Sequence, residues 1–319
     1  MSNPDRNNAS TNNATTPVHF QCYPELGGKL NALMLSPDGE RTVSVLHGFD
    51  SQEEIISDTT FCNVLLFPFV NRLKDGSYSH HGQSYQFPVN DTENGNALHG
   101  FLFARELDVN TATEVPNQQN CYTDLTLSYS YRSEFEFYPF DIDFQVRYAI
   151  LKPDTFRIEI SITNAGDTTA PVATGWHPYF DLGHRINELK CSLPPAHKIE
   201  VDERLIPTGR KEYFDYFHQP NNEPAISLDE LEFDNCFLLD SNHDFVTRLY
   251  SPRENITVEL SQAANLPYLQ FFTPPDRRSV AAEPMSANIN AFQNEEGLME
   301  LGPGDTFDTH IQVCLKATR

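Results

Sequence analysis

Five side chains in this sequence have types and surroundings suited to proton transfer and polar binding. His177 lies in the run TGWHPYFDLG, residues 174 to 183, beside the chain's single tryptophan, Trp176, and before Pro178, Tyr179 and Phe180. An imidazole changes charge near neutral pH. The run follows a strand-like stretch, APVAT, so a loop would present His177 at the rim of a sheet. A core histidine bonded to a backbone carbonyl is the competing reading. Trp176 and Tyr179 offer aromatic faces with polar edges, which suit stacking on a flat amphipathic ligand. Asp234 in EFDNCFLLD and Glu283 in SVAAEPMSANINAF border apolar runs, and burial at a strand terminus raises a carboxyl pKa toward acid-base work. His99 in NALHGF, after the turn-forming Asn94-Gly95, and Arg72, after an apolar run in FPFVNRL, complete the set. The adjacent His80 and His81 point to opposite faces of an extended chain, so they read as surface residues and not as joint metal ligands.

Other chemistries lack their signatures. The six cysteines, at 22, 62, 121, 191, 236 and 314, form no CxxC pair and read as scattered reduced thiols. There is no HExxH, no GxSxG, no Walker loop and no GxGxxG after a strand. Metal and nucleotide catalysis therefore have no support, and no cofactor is expected. Two histidines, two carboxylates and an arginine remain, the groups that bind a polyhydroxylated ligand and move its protons. With 45 acidic against 22 basic residues, the net charge of -23 repels phosphate backbones and anionic lipid. Nucleic acid and membrane are thus excluded as expected partners. The N-terminus carries no apolar signal region and no stretch approaches the roughly 18 apolar residues of a membrane span, so a cytoplasmic location is expected. The sequons at Asn8 and Asn90 read as chance matches.

The elements that must position these groups show a period of two. FRIEISIT places Phe156, Ile158, Ile160 and Ile162 on one face, and FQVRYAI does the same with Phe144, Val146, Tyr148 and Ile150. Between them LKPDT, residues 151 to 155, has turn chemistry, so residues 144 to 163 form an expected hairpin. DLTLSYSY and ITVELSQ alternate likewise. With 22 prolines and 15 glycines punctuating the chain, the expected class is all-β, a large antiparallel β-sandwich with few short helices. No repeat or linker divides it, so residues 18–319 are expected as a single domain. Residues 1–17, nearly all Asn, Thr, Ser, Asp and Pro, are expected to be a disordered polar leader.

Taken in order, NRL with Gly76, NALHGF, GWHPYFDLG, FDNCF, AAEPMSANINAF and GLMELGPGD resemble the landmarks of the aldose 1-epimerase (mutarotase) family from about Asn71 to Asp305. That resemblance implies a β-sandwich with a sugar site in an open cleft. It makes His177 the general acid and Glu283 the general base, with Arg72, His99 and Asp234 holding sugar hydroxyls. It implies an isomerase acting on a free aldohexose such as galactose or glucose, without cofactor, as a monomer or homodimer. The C1 hydroxyl loses a proton while the ring oxygen gains one, the C1–O5 bond breaks, and the ring closes on its other face. Each positioned group contributes about 10² to 10⁴ in rate. The alternatives are a hexose 6-phosphate epimerase and a non-catalytic sugar-binding protein of the same fold. Phosphosugar branches carry extra arginines soon after the His-Gly pair. Here Phe101, Leu102 and Phe103 follow, Arg105 comes only later, and Leu107 stands near where a tryptophan is often found.

Overall fold

The computed structural model describes residues 17–217, 226–240 and 245–318. The leader expected over 1–17 lies outside them, apart from Pro17. The hairpin expected over 144 to 163 is formed by the strands Asp141–Lys152 and Thr155–Asn164. They pair antiparallel with Phe144 opposite Ile162, Val146 opposite Ile160 and Tyr148 opposite Ile158. All six of these side chains are buried, as the period-two pattern requires when one sheet face meets a core. Thr306–Ala317 pairs with Thr155–Asn164 on one edge and with Ile256–Gln262 on the other. Cys121–Arg132 flanks Asp141–Lys152. These are central members of a 12-stranded antiparallel sheet.

A second sheet of eight strands runs Pro207–Phe214, Ala196–Val201, Asp234–Leu239, Tyr268–Phe272, Val280–Met285, Gly175–Trp176 and Leu65–Leu66, with Tyr179–Phe180 also pairing to Val280–Met285. Side chains from both sheets share one buried cluster, in which the Phe156 and Trp176 ring centroids lie 6.5 Å apart. This is the expected sandwich. The α-helices among the described residues are short, Gln52–Ser57 and Ala291–Asn294, the first held by a capping box of Ser51 and Glu54. No described helix is long and apolar enough to cross a membrane.

The structure corrects the reading of His80 and His81. Strands Ser77–His80 and Gln83–Gln86 form a tight hairpin in which His80 pairs with Gln83. The two turn residues, His81 and Gly82, both have positive φ, 47° and 78°, as a type I′ turn demands. That turn breaks the alternation of an extended chain. His81 folds back and stacks on His80, ring centroids 4.1 Å apart, while His80 itself is buried.

Candidate active site

The eight-stranded sheet places two carboxylates and an amide side by side. Gln270 pairs directly with Glu283, and Cys236 pairs with Gln270, which sets Asp234, two residues earlier, on the same face. The alternate residues Phe237, Phe271 and Ala282 enter the core, so the polar set lies on the face turned away from it. Asp234 begins its strand, as expected. Glu283 does not end one: it sits inside Val280–Met285, because the apolar run continues through Pro284 and Met285.

His177 follows the strand Gly175–Trp176, and alternation sends Trp176 and His177 in opposite directions. Trp176 is 0% exposed and packs near Phe156 and Phe180. It belongs to the core, which overturns its expected place as a ligand-stacking surface. His177 instead meets Glu283, with Nε2 3.4 Å from Oε1. Gly175 permits this approach, since a Cβ there would lie 2.5 Å from the carbonyl oxygen of Pro284. Asn63 clamps the segment: its backbone N–H donates to His177 O at 2.9 Å, and its Oδ1 accepts from Tyr179 N at 2.9 Å. Its Nδ2 donates to His47 O at 2.7 Å. The Tyr179 ring lies parallel to His177, centroids 5.0 Å apart and planes at 5°.

Arg72 and His99 come from a small two-stranded ribbon, Arg72–Lys74 with Asn96–Leu98. His99 N–H donates to Asn71 O at 2.9 Å, and both residues hold left-handed backbone, φ 60° and 52°. Gly100 follows because its own φ is +71° and a Cβ would lie 2.0 Å from Phe67 O. The Arg72 guanidinium is oriented by Asp91, with Nε 3.4 Å from Oδ2, and by Asn71 Oδ1 at 3.2 Å from Nη1. Its Nη2 stands 4.0 Å from Asp234 Oδ2. Gln270 Nε2 donates to Asp234 Oδ1 at 2.6 Å. The His99 and His177 rings meet edge to face at 5.1 Å.

All five expected residues therefore line one cleft of about 140 Å³, together with Asn71, Leu98, Tyr179, Gln270 and Phe272. His177 and Glu283 are only 5% and 2% exposed. Burial drives the His177 pKa down from 6.5 to about 3, opposed by a backbone hydrogen bond and the charge of Asp58. Burial, with the charge of Asp234, pushes Glu283 well above the carboxylate range, while Arg72 pulls it back. Burial holds His99 well below its ordinary value, with His177 and Arg72 adding to the effect. The expected imidazole of ordinary pKa is thus replaced by one that resists protonation. His99 Nδ1, His177 Nδ1, Gln270 Oε1 and Glu283 Oε2 are buried without a hydrogen-bond partner in the protein, a costly arrangement unless a polar ligand supplies one.

Several contributors were not singled out in the sequence. Gln270 was detectable as a lone polar residue inside YLQFF, and Asn71 as the neighbour of Arg72. Asp91 and Asn63 carried no local signal, because the site residues they hold lie far off in the chain: Arg72 is 19 positions from Asp91, and Tyr179 is 116 from Asn63. Arg105 lies outside the cleft lining, with its guanidinium 4.6 Å from the Phe135 ring centroid.

The model of the family described as aldose 1-epimerase matches residues 23–314. The uncharacterized protein YihR of Escherichia coli (strain K12) is 27% identical over 243 residues, 75% of this chain and 74% of its own. The aldose 1-epimerase of Streptococcus thermophilus is 21% identical over 213 residues, 66% of this chain and 60% of its own. The fold is that of a galactose mutarotase-like protein from Clostridium acetobutylicum, with a TM-score of 0.79, 19% identity, and 94% and 92% of the two chains covered. The GalM/aldose epimerase homologue from C. elegans superposes equally well, at TM-score 0.79 and 19% identity over 96% and 98% of the two chains.

Proposed function

Because the chain belongs to the aldose 1-epimerase family, we propose that it is an isomerase interconverting the α and β anomers of free aldohexoses, with residues 18–319 acting as one domain. The observation that carries this reading is the buried His177–Glu283 contact of 3.4 Å at the wall of a cleft shared with Arg72, His99 and Asp234. Glu283 is the base that takes the C1 hydroxyl proton, and His177 is the acid that donates to the ring oxygen. The C1–O5 bond then breaks to give the open-chain aldehyde, C1 rotates about C1–C2, and reversal of the same transfers closes the ring on its other face. The sugar gains and loses no net proton, so the pair ends each cycle as it began.

Burial favours the neutral form of both partners, which leaves their one shared proton on Glu283 when the cleft holds only water. Moving that proton to His177 changes no net charge, and Arg72 favours the resulting carboxylate. Arg72, His99 and Asp234, with Gln270 beside them, hold the sugar hydroxyls and fix the ring between acid and base. A free sugar fits better than a phosphorylated one. Among the described residues lining the cleft, Arg72 is the one arginine or lysine, and it already faces Asp91 and Asp234. A protein that merely binds sugar has no need of a desolvated acid-base pair, which argues against the non-catalytic alternative.

Polarimetry tests the reading directly. Freshly dissolved α-D-galactose or α-D-glucose should lose optical rotation faster than its spontaneous rate when the protein is added, and Glu283→Gln should abolish the acceleration. No acceleration with any free aldose would refute the proposal.

A further inference from the structure

The stacked histidines at the hairpin turn stand apart from the proposed sugar cleft and pose a separate question. His80 Nε2 lies 2.9 Å from the carbonyl oxygen of Thr169. A carbonyl only accepts, so Nε2 carries the hydrogen and Nδ1 of the neutral ring is left with a free lone pair. That lone pair faces another acceptor, Glu300 Oε1, 3.8 Å away, too far for a hydrogen bond. The ring of His81 covers His80 at 4.1 Å. Ligand-type atoms of His80, His81 and Glu300 all lie within 4.8 Å of one another.

We propose that His80 Nδ1, His81 and Glu300 bind a divalent transition metal, with zinc the ion whose preferences the set best meets. Imidazole nitrogen and carboxylate oxygen each bind zinc at about 2.1 Å, so two such ligands at the tetrahedral angle stand about 3.4 Å apart. The observed 3.8 Å needs to close by only a few tenths. The bond from His80 Nε2 to a backbone carbonyl is the outer contact that metal-binding histidines characteristically make, fixing tautomer and ring orientation. His81 stacks nearly parallel to His80, at 18°, so its nitrogen must swing toward the ion. Its exposure leaves the side chain free to do so. Glu300, 56% exposed, is likewise adjustable, and the fourth position is open to water.

The ion would tie together two small ribbons. His80 ends one strand of the Ser77–His80 and Gln83–Gln86 hairpin, and Glu300 lies in Met299–Leu301, which pairs with Ala170–Val172 immediately after Thr169. The role is structural: it pins the hairpin that follows the Arg72 strand.

Calorimetric titration of the full, tag-free chain with zinc chloride tests the site, with X-ray absorption at the zinc edge as the second readout. One saturable equivalent is expected, weakened at least about tenfold by His81→Ala and by Glu300→Gln, with only nitrogen and oxygen in the first shell. Both substitutions are at exposed positions and should leave the fold intact. Absence of saturable binding at sub-millimolar zinc would overturn the proposal. So would binding that survives both substitutions, or sulfur in the shell, which would assign the ion to a cysteine.

Discussion

Between His177 and Glu283 there is one proton to place, and its position sets the response to pH. The neutral pair and the ion pair carry the same proton count, so the proposed activity depends on holding one proton and not two or none. As pH rises through the raised Glu283 value that proton is lost, and kcat/KM should fall. On the acid side a second proton enters only toward the depressed His177 value of about 3. The pH profile of kcat/KM should therefore show no acid limb near the ordinary histidine value of about 6.5; a limb centred there would contradict the buried assignment. Stability carries the same information. Glu283 ionises at 4.5 when unfolded and higher when folded, so its contribution is complete below 4.5 and is lost as pH rises toward the folded value. His177 runs oppositely: its contribution is complete above 6.5 and is lost as pH falls toward about 3. Glu283→Gln removes only the first effect. Urea unfolding should show the variant gaining on the wild type as pH rises from 4.5, by up to about 1.4 kcal/mol per pH unit. A gap that stays constant with pH would mean that Glu283 is not held protonated.

At the scale of elements, the His177–Glu283 distance is set by how the His177 segment is fastened beside the Val280–Met285 strand. Asn63 does this through three hydrogen bonds, to His177 O, Tyr179 N and His47 O. It is 1% exposed and holds φ 56°, which an asparagine tolerates better than most residues. Asn63→Ala leaves Tyr179 N–H without its bond and His47 O with only the weak donor Cys62 Sγ at 3.8 Å, at a cost of about 1 to 3 kcal/mol for a buried unpaired group. A shift of about 1 Å in a catalytic group costs about a hundredfold in rate. We therefore expect kcat to fall about a hundredfold in Asn63→Ala with KM little changed, since Arg72, His99 and Asp234 come from other segments. An unchanged kcat would show that the backbone contacts alone position His177.

For the whole molecule, charge bears on substrate class. The net charge of -23 creates a field that repels anions, most strongly at low ionic strength. Arg72, already between Asp91 and Asp234, gives little compensation inside the cleft. Hexose 6-phosphate should inhibit the anomerisation of free hexose only weakly, with an inhibition constant above the KM of the free sugar and rising as salt is withdrawn. A phosphosugar that competes better than the free hexose would reverse the choice of substrate.

The sequence by itself determined the class of fold and the identities of the five candidate residues. Period-two burial along 144 to 163 is a local property, since any sheet with one face on a core imposes it, and the hairpin followed directly. The motifs around Arg72, His99, His177, Asp234 and Glu283 were legible as ordered local strings. Only the tertiary structure decided what those residues are to one another. His177 and Glu283 lie more than a hundred positions apart, and their 3.4 Å contact comes from strand pairing across Gly175 and Met285. Their pKa displacements arise from desolvation by burial in the cleft wall, which local sequence does not encode. The same holds for Trp176, sent into the core by alternation, and for His81, turned back over His80 by a left-handed turn. Spacing along a chain fixes which way a side chain points only while the backbone stays regular: it stays so at Trp176, where the fold decides which face is the core, and bends at His81.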